Sequence, residues 1–207
     1  MNKTLALITL AAAGVVAPVL ASAAATDDSG DWIVRARAVY LKSANKDSTG
    51  LGLSINDKTL PEVDITRFFT PNIAAELILT YPQRQTISSN GTAIGTLKHL
   101  PPVLSAQYHF TDLPGFRPYL GAGVNYTRFS SVSFSPAVAT ALGPSVKKNS
   151  FGLALQAGLD VPVGGGWLLN ADVKKVRIDT DVASFGTKVG NFGVNPWLFS
   201  LGFGKRF

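Results

Sequence analysis

Apolar and polar residues alternate at period two in eight separate stretches of the chain. The last eleven residues are the plainest: Trp197, Phe199, Leu201, Phe203 and Phe207 fall on one side, and Ser200, Gly202, Gly204 and Arg206 on the other. Successive side chains of a strand leave opposite faces, so the segment is a strand with one bulky apolar face and one small or polar face. The same pattern predicts strands over 31–41, 61–69, 73–80, 100–110, 117–129, 150–161 and 167–177. Their order with the last gives an all-β, antiparallel, up-and-down meander.

The connections alternate in length. Short turns are expected at Thr70-Pro71-Asn72, Thr111 to Gly115 and Pro162 to Gly166. Long polar connections are expected through Asn45 to Gly50, over 82–96 with Ser88-Ser89-Asn90-Gly91, over the Ser/Pro/Ala/Gly-rich 130–149, and over 179–195. Four long loops at one end and three short turns at the other, with both termini beside the short turns, describe an eight-stranded transmembrane β-barrel. A soluble barrel of the lipocalin type has a similar strand count but needs a polar exterior. Here the outward sets are Leu104, Ala106, Tyr108 and Phe110 on one strand and Phe151, Leu153 and Leu155 on another. A chain that ends on Phe207 after such a strand resembles the signal that outer-membrane barrels present to their assembly machinery.

The opposite end of the chain is consistent with export. Lys3 precedes an apolar run from Leu5 to Val16, and Ala21-Ser22-Ala23 or Ala23-Ala24-Ala25 offers a small-residue cleavage site, so residues 1–25 are expected to be a signal peptide and 26–207 one barrel domain. Only 15% of residues are charged, against about a quarter in a typical soluble domain. The absence of cysteine rules out disulfides and thiolate metal sites. The formal charge of +6 comes from 19 Lys and Arg that are scattered rather than clustered. Scattered cations argue against nucleic acid and suit lipid phosphates at the membrane rims.

Inward positions divide by depth. Toward the short turns they are Arg35, Arg37, Gln107, His109, Asn125, Gln156, Asp160, Asn170, Asp172 and Arg206, with Glu76 near the middle. An eight-stranded barrel is wide enough only for its own side chains or one small ligand, so Arg35, Arg37, Arg206, Asp160, Asp172 and Glu76 are expected to pair into an ionic plug. Toward the long loops, Val39, Leu41, Ile78, Val103, Phe129, Val176 and Leu198 point inward and predict an apolar pocket open to the outside. Pro101-Pro102 lacks two ladder donors. The pair either interrupts the wall beside one neighbouring strand or marks the boundary between loop and strand.

Catalysis finds little support. His99 and His109 are the only histidines, they fall near opposite ends of one expected strand, and His99 reads as a loop residue. No catalytic serine motif, phosphate-cradling loop or metal-ligand spacing occurs, so neither an enzyme nor a cofactor is expected. A structural or adhesive barrel with Ser-, Thr-, Asn- and Gly-rich contact loops remains the alternative to a channel.

Several stretches carry a family likeness. Residues 61–77 (PEVDITRFFTPNIAAEL), 100–110 (LPPVLSAQYHF), 117–127 (RPYLGAGVNYT) and 167–173 (WLLNADV), with the Gly-rich, Phe-terminated last strand, resemble the OmpW family of small outer-membrane proteins. The resemblance implies an eight-stranded barrel and passage of small hydrophobic molecules through a narrow apolar channel with sideways release into the membrane, here near Pro101-Pro102. Other members of that family are linked to small polar solutes.

Overall fold

In a computed structural model, residues 30–207 are described; the expected signal peptide over 1–25 lies outside the described residues. The elements in chain order are β1 (Trp32–Lys42), β2 (Lys46–Asp47), β3 (Leu53–Ile55), β4 (Lys58–Phe68), β5 (Ile73–Leu79), β6 (Gln83–Ser89), β7 (Thr92–Leu100), β8 (Val103–His109), β9 (Arg117–Phe134), α1 (Pro136–Leu142), β10 (Pro144–Val146), β11 (Asn149–Gly164), β12 (Trp167–Val176), β13 (Asp179–Ser184), β14 (Thr187–Gly193) and β15 (Trp197–Arg206). Eight of these, β11-β12-β15-β1-β4-β5-β8-β9, are hydrogen-bonded in sequence, and β9 pairs back onto β11. Every neighbour is antiparallel, so the sheet closes as an eight-stranded barrel.

Closure gives every wall strand two neighbours, so none is an edge strand, which is what a lipid environment requires. The exterior is apolar: Leu104, Leu120, Phe151, Leu153, Leu155, Leu201 and Phe203 are all exposed. Aromatic residues stand at both rims, and cations lie over them. Arg67 sits 5.0 Å above the Trp32 ring and Lys205 5.2 Å above Trp167 at one end, and Lys175 sits 5.0 Å above Trp197 at the other. Such pairs place an amphipathic ring and a positive charge at headgroup depth.

The short turns follow from local chemistry. Between β11 and β12 the loop is Gly165-Gly166, with φ of 59° and 76°, the twofold positive φ of a type I′ hairpin that glycine adopts without strain. Between β4 and β5, the Thr70 hydroxyl accepts hydrogen bonds from the backbone N–H of Ile73 at 2.9 Å and of Asn72 at 3.3 Å.

The long connections are not the open loops that their composition suggests. The stretch 82–96 belongs to a hairpin, β6–β7, that turns on Asn90-Gly91 with φ of 47° and 82°. That hairpin pairs with β3 on one side and with an upward extension of β9 on the other. Ser131, at φ 47°, marks a bulge in this extension. Above the opposite wall, β10, β13, β14 and β2 form a separate four-stranded sheet. Asp47 organises its edge, accepting from the Thr49 and Leu53 backbone N–H groups at 2.9 Å each and from the Thr49 hydroxyl at 2.7 Å. Partial burial works against its charge, but these donors outweigh it and hold the carboxyl below the usual aspartate range.

Candidate functional site

The lumen has two chemically distinct halves, and the inward phase of each barrel strand builds both. In the half near the short turns, Arg35 lies fully buried between two carboxylates. It holds Asp160 with both Nε (3.1 Å) and Nη2 (2.6 Å), while Nη1 donates to Asp64 and to the Thr66 hydroxyl at 2.8 Å each. Arg37, one inward step higher, is within 2.7 Å of Glu62, 3.0 Å of Asp64 and 3.1 Å of Glu76. Glu76 also accepts from Gln156 at 2.9 Å and from the Ser105 hydroxyl at 3.3 Å. Lys174 pairs with Asp172, whose other oxygen accepts the Tyr119 hydroxyl at 2.8 Å. Bidentate and charge-assisted contacts of this kind are the ones that offset the cost of burying charge.

Of the expected plug residues, Arg35, Arg37, Glu76, Asp160 and Asp172 come together. Arg206 lies at the short-turn mouth, half buried and lining the same cavity as Asp160, with Nε donating to the Gly30 carbonyl at 2.6 Å and its guanidinium 4.4 Å from the Phe68 ring centroid. Glu62, Asp64, Tyr119 and Lys174 join the network without having stood out in the sequence. All four are in phase with inward neighbours on their own strands, and that phase was the available signal.

Glycines make room for these large groups. Across the β1–β15 ladder Arg35 is opposite Gly204 and Arg37 opposite Gly202. A Cβ at either glycine would lie within 2.8 Å of the arginine Cγ. The Tyr119 ring likewise lies against Gly158, its ladder partner, and Gln156 against Gly121. Each of these four side chains therefore crosses the lumen from a position with one wall neighbour that has no side chain.

The half near the long loops is apolar. Val39, Leu41, Ile78, Val103, Val176 and Leu198 line a cavity of about 20 Å³, room for about one water. Phe129 is buried in the same apolar cluster but packs behind the cavity, stacked on His99 with ring centroids 6.3 Å apart. The pocket is not open to the outside as expected. Ile55, Ile87, Leu97, Phe192 and Val194, supplied by the ordered long connections, join the same cluster and cap it.

Pro101-Pro102 separates β7 from β8, and the wall there is unpaired on one side. The ladder between β5 and β8 ends at Ile78 opposite Val103, and the ladder between β6 and β7 starts at Gln83 opposite His99. Residues 79–82 thus face residues 100–102 without a rung. On the other flank the seam is closed, since the Pro102 carbonyl accepts from the Tyr126 backbone N–H at 3.2 Å and from the Asn125 amide at 3.1 Å. Thr80 and Pro101 line the apolar cavity, so the cavity reaches the gap. His99, expected in a loop, is instead a fully buried member of β7 facing the cavity.

A closed eight-stranded barrel with a lipid-matched exterior, aromatic rims and a filled polar floor belongs to the small outer-membrane class. A profile of the OmpW family matches residues 28–207. Outer membrane protein W of Vibrio cholerae is 34% identical over the full length of both chains. The Pseudomonas aeruginosa protein PahQ, described as a dibenzothiophene metabolism operon protein, is 32% identical over 56% of this chain and 54% of its own. The crystal structure of OprG from Pseudomonas aeruginosa superposes with a TM-score of 0.71 at 27% identity, covering 86% of this chain and 96% of OprG. The solid-state NMR structure of AlkL, an Ectopseudomonas oleovorans protein, does so with a TM-score of 0.63 at 26% identity, covering 86% and 90%. The chain belongs to the OmpW family, and its place is the outer membrane. It is a barrel of a non-enzymatic kind.

Proposed function

We propose that this barrel passes small hydrophobic molecules from outside into the membrane, through the apolar upper lumen and out sideways beside Pro101-Pro102. The observation that carries the reading is the coincidence of two features: the apolar cavity ends at the stretch of wall that has no ladder hydrogen bonds. A buried ionic network below makes straight passage to the periplasm unfavourable for an apolar cargo. At rest the cavity is too small for cargo, so entry needs the capping hairpins to part. The operon description of PahQ, which names an apolar aromatic compound, agrees with cargo of this class.

Uptake of a panel of apolar compounds by cells with and without the gene tests the proposal. A difference limited to apolar compounds is expected. Replacing both Pro101 and Pro102 by Val restores both backbone donors, the one at 101 toward the gap and the one at 102 toward β9, lets the β5–β6 and β7–β8 edges pair, and should slow transfer several-fold without weakening binding. Transfer at the original rate would remove the lateral route. An adhesive or structural role is favoured by one observation, the separate four-stranded sheet above the barrel, and it predicts equal uptake with and without the gene.

The outward face of β15 is, in the same proposal, the address read by the barrel assembly machinery. Phe207 is exposed, and its backbone closes the seam with β1: its N–H donates to the Trp32 carbonyl at 2.8 Å, and its carbonyl accepts from the Trp32 N–H at 3.2 Å. Deleting Phe207 should leave unfolded periplasmic protein, detected as loss of the heat-modifiable band. An unchanged folded fraction would count against this role.

A further inference from the structure

The apolar cavity has a polar corner. His99 and Gln83 are ladder partners on β7 and β6 and both line the cavity. Directly opposed residues share a face, with Cβ atoms about 4.5–5.5 Å apart. Both side chains are at least 99% buried. His99 Nδ1 and Gln83 Oε1 have no hydrogen-bond partner among the described residues, a costly state for buried polar atoms.

The neighbours fix what each free atom can do. The Gln85 amide nitrogen donates to the Asn56 carbonyl, so its oxygen is the atom facing His99 Nε2. That contact requires Nε2 to carry the proton, which leaves Nδ1 as a lone-pair acceptor. The Gln83 amide nitrogen donates to the Tyr81 carbonyl at 2.9 Å, leaving Oε1 as a second acceptor. Glu62 also lines the cavity. Its polar corner therefore presents acceptors and a carboxylate, and it faces the gap beside Pro101.

We infer that the pocket selects small apolar molecules bearing one hydroxyl group, such as medium-chain alcohols and phenols, whose O–H donates to His99 Nδ1 or Gln83 Oε1 at the entrance to the lateral gap. This rests on the apolar-channel reading and narrows its cargo. Pure hydrocarbons leave both acceptors unserved. Ionised fatty acids bring a charge to a corner lined by the two acceptors.

The test is a titration of the full barrel in lipid nanodiscs, with isotope-labelled histidine and backbone amides, by octanol, octyl methyl ether and octanoate. The ether keeps the apolar body and an acceptor but has no donor. Octanol should shift the His99 Nδ1 resonance, leave His109 unmoved, and bind about five-fold more tightly than the ether, the worth of one hydrogen bond; octanoate should bind more weakly than octanol. Gln83→Leu, which strands only the carbonyl of rim-exposed Tyr81, and His99→Leu should each lower the alcohol-to-ether ratio, and the double variant should bring it to about one.

Equal affinity for alcohol and ether, or an unchanged ratio in both variants, would mean that the acceptors are served by water alone and would overturn the inference. If neither ligand moves the Leu41 or Ile78 amides, the apolar-channel reading itself fails and takes this inference with it.

Discussion

Replacing Arg37 by Ala is expected to lower the stability of the barrel by about 3–5 kcal/mol, because it strands buried carboxylates rather than merely deleting a contact. Glu62, Asp64 and Glu76 all lie within 3.1 Å of its Nη2. The plug described above already sets three cations, Arg35, Arg37 and Lys174, against five carboxylates, Glu62, Asp64, Glu76, Asp160 and Asp172. Loss of one cation should also draw water into the lumen, so a planar bilayer should record a leak carried mainly by cations. The denaturant midpoint in lipid gives the stability. The exposed Arg177–Asp179 pair at 2.7 Å is the control, and Arg177→Ala should leave stability nearly unchanged. An Arg37→Ala barrel with unchanged stability and conductance would mean that these residues do not share the lumen as a unit.

The second large effect concerns the apolar half. Leu41 is buried on the cavity wall, and a buried leucine side chain is worth about 1.5–3 kcal/mol of apolar transfer. Leu41→Asp removes that surface and adds a charge, so uptake of an apolar solute should fall at least ten-fold, the equivalent of about 1.4 kcal/mol. Phe129→Asp should act in the same direction by removing the ring stacked behind His99. Folding should survive in both, since a side-chain change leaves the backbone ladders in place and the plug lies below, and retained heat-modifiable mobility checks this. Normal uptake by both folded variants would overturn the hydrophobic-channel proposal and leave the structural or adhesive role.

The barrel wall was legible in the sequence because lipid outside and side chains inside impose a strict period of two on every strand, and one phase fixes both faces. The strand end predicted at 129 falls short of Phe134 because β9 runs on past the membrane into its pairing with β7, and the end predicted at 161 falls short of Gly164 because the β11–β12 ladder continues to its hairpin turn. The β6–β7 hairpin carried the strongest local turn signal, Asn90-Gly91, yet its strands are largely polar and read as a linker. Its partners, β3 and the end of β9, are distant in sequence, so no local pattern announces them. The plug arginines stood out as charges in a lumen phase. Glu62 and Asp64 alternate with Val63 and Ile65 just as visibly, but which carboxylate meets which arginine depends on ladder register, which emerges only on closure. His99 shows the same limit: its burial comes from the hairpin around it.

The glycines opposite the arginines bear on how the barrel shuts. The inward series Ile33, Arg35, Arg37, Val39, Leu41 on the first strand meets Arg206, Gly204, Gly202, Ser200, Leu198 on the last. Slide one strand by a single inward step and Arg37 meets Ser200; slide it the other way and Arg35 meets Arg206, charge against like charge. Only one alignment seats both guanidinium groups over bare backbone. The joint between the two ends of the chain therefore carries its own alignment code, written in where glycine, serine and arginine fall on the last strand.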